Sequence, residues 1–207
     1  SDWSSDVCSS DLAFEGINIS CGMSAQKGAI SSLSGNGHNL RYSVIGGGFA
    51  NGVCGSGIVD AMAYLVRSKI IDNTGAFTKG KKQWNISDTV FINQKDVRGF
   101  QLAKAALAAG VQLLLKVANL RASEIKNVYI CGAFGHFIQI DNLMKICSLG
   151  FKKTAYQKQG NTALNGAKKI LFTNDFSQIE RILRISEHLA LEGESDFQDV
   201  FIENMLF

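Results

Sequence analysis

The stretch that most constrains the fold is residues 127–135, NVYICGAFG. Val128, Tyr129, Ile130 and Cys131 run straight into Gly132-Ala133-Phe134-Gly135, and an apolar-periodic segment begins a few residues later. That order predicts a buried strand, a tight glycine turn and a helix. In α/β proteins ligands gather in the crevice beyond the carboxyl end of such a strand. Glycine lets backbone N–H groups approach a nucleotide closely, and the next helix offers its positive end. The same spacing occurs wherever a turn is merely tight, so these residues leave a nucleotide contact and a packing turn both open.

A chain of 207 residues with 46% hydrophobic and 19% charged residues can bury a substantial core and lacks the composition of a disordered segment. Its net charge of +3 comes from scattered basic residues, which argues against nucleic acid as a partner; the densest cluster, Lys79-Gly80-Lys81-Lys82, reads as a solvated turn. The five cysteines are widely spaced without a C-x-x-C pair. They predict reduced thiols in a cytoplasmic protein, with no disulfide framework and no iron–sulfur or zinc site made by this chain alone. Residues 102–120 form the longest apolar region, but Lys104, Gln112 and Lys116 interrupt it, so no membrane span is expected. Proline is absent, and element boundaries therefore rest on glycine and asparagine.

Residues 1–12, SDWSSDVCSSDL, are Ser/Asp-rich without periodicity, read as a non-native leader, and stand outside the fold argument. Residues 13–207 read as one domain. Glu15, between Phe14 and Gly16, is either a carboxylate aimed into a cleft or a helix-start acid. Alternation at Ile17 and Ile19 suggests a short extended piece, and residues 28–42 suggest a hairpin turning at Gly35-Asn36-Gly37. After Gly46-Gly47-Gly48, the run Asn51-Gly52-Val53-Cys54-Gly55-Ser56-Gly57 opens an amphipathic helix with Ile58, Met62, Leu65 and Val66 on its apolar face. Ser56 is the expected N-cap. Gly55 and Gly57 either leave the helix start open to a phosphate or permit close packing.

Residues 70–85 read as a polar connector and 89–92 as a short strand, after which Asn93 caps the longest helix, 94–117. Gln94-Lys95-Asp96 is a capping turn or a ligand contact. His136 has either an acid–base or a structural role. Asp141 and Asn142 start another helix that ends near Cys147. Gly160-Asn161-Thr162 makes a further glycine turn into a helix, with Asn161 and Thr162 as caps or as polar ligand contacts. A helix over 175–187, an edge strand over 188–192 and a closing helix from 195 complete the reading. Strands alternate with helices from Thr89 onward, the pattern of α/β architecture.

Taken in order, AFEG-x-NISCGM, G-x-CGSGI-x-D, QKD-x-R-x-x-QLAKAA, VYI-x-G-x-FG, GNTAL-x-GA and F-x-D-x-F resemble the carboxy-terminal domain of the reductive activators of corrinoid proteins. Those are iron–sulfur ATPases of the acetate and sugar kinase, heat-shock chaperone and actin (ASKHA) superfamily. The resemblance runs from Ala13 to Phe207. It implies an RNase H-like α/β half, with a mixed central sheet flanked by helices and a smaller inserted α+β region, and with ATP and Mg2+ in a cleft between two halves.

On that resemblance Gly132, Ala133, Phe134 and Gly135 form the adenosine motif. Glu15 and Gly16, then Gly55, Ser56 and Gly57, face the same cleft, and Gly160, Asn161 and Thr162 lie nearby. The family's amino-terminal ferredoxin-like domain delivers electrons, and ATP drives reduction of a Co(II) corrinoid protein to Co(I). A corrinoid protein is the implied partner, and a homodimer of the parent stays open. No acidic residue is assigned as hydrolytic base. Two departures stand out: Ala133 replaces one of a usual glycine pair, and the family's aspartate-glycine phosphate motifs and cluster domain would lie before Ala13. The expectation is that this chain alone has neither a complete phosphate and magnesium site nor electron-transfer activity, and binds no cluster or metal. A non-catalytic nucleotide- or partner-binding fragment and a small-molecule kinase of the same superfamily are the alternatives.

Overall fold

The computed structural model describes residues 18–36, 39–191 and 196–207. The expectations for the leader and for Glu15 and Gly16 fall outside the described residues. Where extension was expected around Ile19 the chain turns instead. Asn18 holds φ +64°, a left-handed conformation asparagine tolerates, and the Gly22 N–H donates to the Ile19 carbonyl at 2.9 Å.

Strand β1, Ala29–Asn36, pairs antiparallel with β2, Asn39–Val44, with Asn36 opposite Asn39. On its other edge β1 runs parallel to β3, Gly52–Val53, giving a mixed sheet in the order β2-β1-β3. Helix α1, Gly55–Arg67, is buried from Gly55 through Leu65, including the positions expected on its polar face. It is a core helix, covered all round. Strand β4, Gln83–Asn85, pairs antiparallel with β5, Phe91–Asn93. Its three residues sit inside the expected connector, where only Trp84 turns inward to stack on Tyr64 at 5.2 Å.

Helix α2, Gln94–Val117, begins at Asn93 as the sequence predicts. The Asn93 side chain accepts from the Asp96 N–H at 3.0 Å, and the Asp96 carboxylate accepts from the Asn93 N–H at 2.9 Å. Asp96 also accepts from the Ser20 N–H and hydroxyl, so this buried carboxylate ties the chain start to the helix cap and is not free for a ligand. By length and mean hydropathy, 1.3, α2 is apolar enough to cross a membrane, but 44% of that window is buried within the protein. Its polar side chains Gln101 and Lys104 are also bonded inside. Gln101 donates to the Thr74 and Met205 carbonyls, and Lys104 to those of Asn204 and Leu206.

Strand β6, Val128–Cys131, leads directly into helix α3, Gly132–Phe137, and α4, Ile140–Ile146, follows. Strand β7, Tyr156–Gly160, runs parallel to β6 and precedes α5, Thr162–Thr173. β7 was not expected, because YQKQG has no alternating apolar residues. Helix α6, Ser177–Ile185, is shorter than predicted. Residues 188–191 form no strand; Leu191 instead packs against the cluster of Ala105, Ala109 and Leu113. Phe197 and Phe201 of α7, Phe197–Glu203, stack at 6.0 Å and cover the same cluster. The larger core joins β1, β3, α1 and α2 to Ile138, between α3 and α4, and to Leu143 and Ile146 of α4. Cys21, Cys54, Cys131 and Cys147 are free thiols.

Candidate functional site

The parallel pairing of β6 with β7 decides which glycine turns meet. Val128 lies opposite Tyr156, Tyr129 opposite Gln157, Ile130 opposite Lys158, and after an irregularity Cys131 lies opposite Gly160. Two strands running in the same direction therefore end side by side, and each passes at once into a glycine bend and a helix. Gly132 holds φ +90° and Gly160 φ +65°, backbone that a side chain rarely adopts. A Cβ at either would meet nothing within 4 Å, so both bends border open space. This is the carboxyl edge of a parallel pair, the place where α/β proteins hold ligands.

Gly135 has a different job. A Cβ there would come within 2.5 Å of the Ile130 side chain, so this buried glycine lets α3 fold back against its own strand and does not face the open edge. Ala133 and Phe134 lie within α3, where a helical φ suits alanine; their side chains and that of His136 are outside the described set. Asn161 is the cap of α5, its side-chain oxygen accepting the Leu164 N–H at 3.0 Å, and Thr162 is the exposed first residue of the helix. Capping engages only the Asn161 side-chain oxygen, so its amide NH2 and the Thr162 hydroxyl are both exposed polar groups at this edge.

Gly55, Ser56 and Gly57 stand at a more enclosed junction than Gly132 and Gly160. The whole first turn of α1 is buried. A Cβ on Gly57 would lie 2.3 Å from the Ile30 carbonyl and 2.8 Å from Val53, so the glycine serves close helix–sheet packing. Ser56 is not the N-cap; that position is Cys54, without a side-chain cap bond. The Ser56 hydroxyl instead donates to the Ser31 carbonyl at 2.7 Å. Of the two readings of this helix start, open to a phosphate or closely packed, the burial of the first turn and the Gly57 contacts favour the second.

α1 also carries a buried acid, Asp60. Its carboxylate is 1% exposed and accepts from the Leu33 N–H at 3.1 Å and from the Asn142 amide at 2.6 Å. Burial raises its pKa above the ordinary 3.8, against the lowering effect of the Asn142 and Leu33 hydrogen bonds and of the Arg67 and Lys158 charges. Asp60 thus ties α4, which follows α3 in the chain, and β1 to α1. The sequence placed Asp60 in a motif without giving it a role; an acid three residues into an otherwise apolar helical run was the available signal. Among the described residues no group of three or more His, Cys, Asp or Glu side chains could hold a metal ion.

Residues 4–207 match the family model described as the C-terminal domain of RACo, the ASKHA domain. The chain belongs to this family. It is 32% identical to the "Corrinoid activation enzyme RamQ" of Eubacterium limosum, over 94% of this chain and 38% of RamQ. It is 22% identical to the "[Co(II) methylated amine-specific corrinoid protein] reductase" of Methanosarcina barkeri, over 92% of this chain and 39% of that protein. A solved structure, "Reductive activator for corrinoid,iron-sulfur protein", superposes with a TM-score of 0.84 at 29% identity, covering 94% of this chain and 35% of its own. The RACo ASKHA domain therefore spans less than half the length of the relatives it matches, and its fold is that of the solved activator over the part they share.

Proposed function

We propose that this chain is the nucleotide-binding, carboxy-terminal part of an ATP-dependent reductive activator that brings a Co(II) corrinoid protein to Co(I). The observation that carries the reading is the Cys131–Gly160 pairing, which sets two open, left-handed glycine bends together at the carboxyl edge of β6 and β7. In this reading the backbone at Gly132 and Gly160 admits the adenosine, and the exposed Thr162 supplies a polar contact. ATP, with Mg2+, supplies the free energy for an uphill reduction, and the electron comes from an iron–sulfur cluster held outside residues 13–207. The names of the relatives support the corrinoid protein as the partner. The free thiols are in keeping with a cytoplasmic protein.

The buried first turn of α1 favours one refinement, a chain that contributes adenosine contacts and does not hydrolyse ATP by itself. Calorimetric titration with MgATP tests it: affinity in the millimolar range or weaker fits an incomplete cleft, whereas submicromolar binding by the 207-residue chain contradicts it. For the whole activity, the measurement is loss of the Co(II) signal of a corrinoid protein when the polypeptide with its native upstream sequence is given ATP and a reductant. No ATP-dependent loss would end the proposal.

A further inference from the structure

A hollow of about 310 Å3 lies where the end of α1 meets the β4 strand, away from the glycine bends. Its apolar lining is Ile70 and the half-buried Trp84, whose ring is braced by stacking on the buried Tyr64. Three exposed lysines, Lys69, Lys79 and Lys81, also line it, and among the described residues none of them has an ion-pair partner.

The lysines are not needed to neutralise the end of α1. The Tyr64, Leu65 and Val66 carbonyls already accept from the Ser68, Ile70 and Lys69 N–H groups, and the Thr78 hydroxyl donates to the Lys69 and Ile70 carbonyls. The nearby carboxylate of Asp72 is engaged by Thr74 and Ala76 within its own turn. Lys69 and Lys79 hold left-handed backbone, φ +53° and +57°, at positions where glycine fits with less strain, yet each carries a charge there. The result is an aromatic-floored depression with uncompensated positive charge around it. It suits one side chain presented on a larger surface, an apolar anchor within a charged rim.

We propose that this hollow docks an acidic segment of a partner protein, an apolar side chain entering against Trp84 while flanking carboxylates meet Lys69, Lys79 and Lys81. The inference rests on the proposed function only for the existence of a protein partner, and its test uses neither ATP nor corrinoid. The probe is the synthetic peptide Glu-Glu-Phe-Glu-Asp-Glu added to the full 207-residue chain carrying Trp3→Phe, so that fluorescence reports Trp84 alone. The expected result is a saturable Trp84 change that weakens with salt, with affinity reduced about tenfold or more in Lys79→Glu/Lys81→Glu and retained in Lys79→Arg/Lys81→Arg. The proposal is overturned if the peptide does not bind, if its Gln-for-Glu counterpart binds equally, or if charge reversal changes nothing. A single-stranded oligonucleotide or inorganic phosphate binding as tightly as the peptide also overturns it, by revealing a general anion surface. A failed corrinoid reduction with intact peptide binding would count against the proposed function alone.

Discussion

Asn142 donates its side-chain amide to Asp60 at 2.6 Å across the contact between α4 and α1, and the carboxylate that receives it is almost wholly out of solvent. Asp60→Ala strands both the Asn142 amide and the Leu33 N–H, and is expected to cost roughly 2–4 kcal/mol. A urea titration followed by circular dichroism measures it. The reciprocal pair Asp60→Asn/Asn142→Asp keeps an acceptor for each donor and is expected to recover most of the loss; no recovery would mean that the pair does not act as a unit.

The same carboxylate sets a pH dependence of known sign. Burial raises the folded pKa of Asp60 above 3.8, so the folded chain holds this proton more tightly than the unfolded chain. The stability it contributes is full below pH 3.8 and is lost as pH rises through the folded pKa. Carboxyl-carbon NMR of Asp60 should titrate with a midpoint above that of an exposed aspartate; a midpoint at or below it refutes the assignment.

Two glycines in helices should answer oppositely to alanine. Gly57→Ala drives a methyl group into the Ile30 carbonyl and Val53, and is expected to destabilise by about 1–3 kcal/mol. Gly166→Ala, within α5 with nothing near the added methyl, is expected to stabilise by about 0.5–1 kcal/mol. Thermal unfolding of both variants distinguishes packing from conformational freedom.

Thiol chemistry can read the candidate edge directly. Cys131 is exposed beside Gly132, whereas burial pushes the Cys147 thiol up to about 11, an effect the Lys104 charge only partly offsets. Iodoacetamide near neutral pH should label Cys131 well before Cys147, by peptide mass mapping. Saturating MgATP should slow the Cys131 reaction, and equal rates with and without nucleotide would count against an adenosine seat at this edge.

Helices α5 and α6 present a broad apolar surface: Leu171 is 80% exposed, Phe172 83% and Ile185 77%. Such a face binds hydrophobic dyes and promotes self-association. Phe172→Glu should lower dye fluorescence while shifting stability by less than about 0.5 kcal/mol, because the side chain has little packing to lose. A large drop in stability would show that the face is packed in solution.

The parts legible in the sequence were those with local causes. Asn93 and Asp96 are three residues apart and cap each other, so the start of α2 could be read directly. Val128 to Cys131 carry strand chemistry next to a glycine, and the strand and bend at Gly132 followed, but not the expected burial: Val128 and Ile130 are half-buried, and Tyr129 and Cys131 are exposed. β7 was hidden because Tyr156 to Gly160 lie at the surface, and their pairing with β6 comes from backbone hydrogen bonds that leave no apolar period. The expected strand at 188–192 had an alternating pattern, but its described residues, 188–191, found no partner strand.

By itself the sequence determined the family, the α/β alternation and the glycines at which the chain bends, because motif words and turn chemistry are properties of neighbouring residues. Only the tertiary structure decided what each bend is used for. Gly57 and Gly135 look like Gly132 and Gly160 on paper, but the first two have another atom where a side chain would start and the last two have open space. That difference depends on atoms brought in by other segments, which no local pattern encodes.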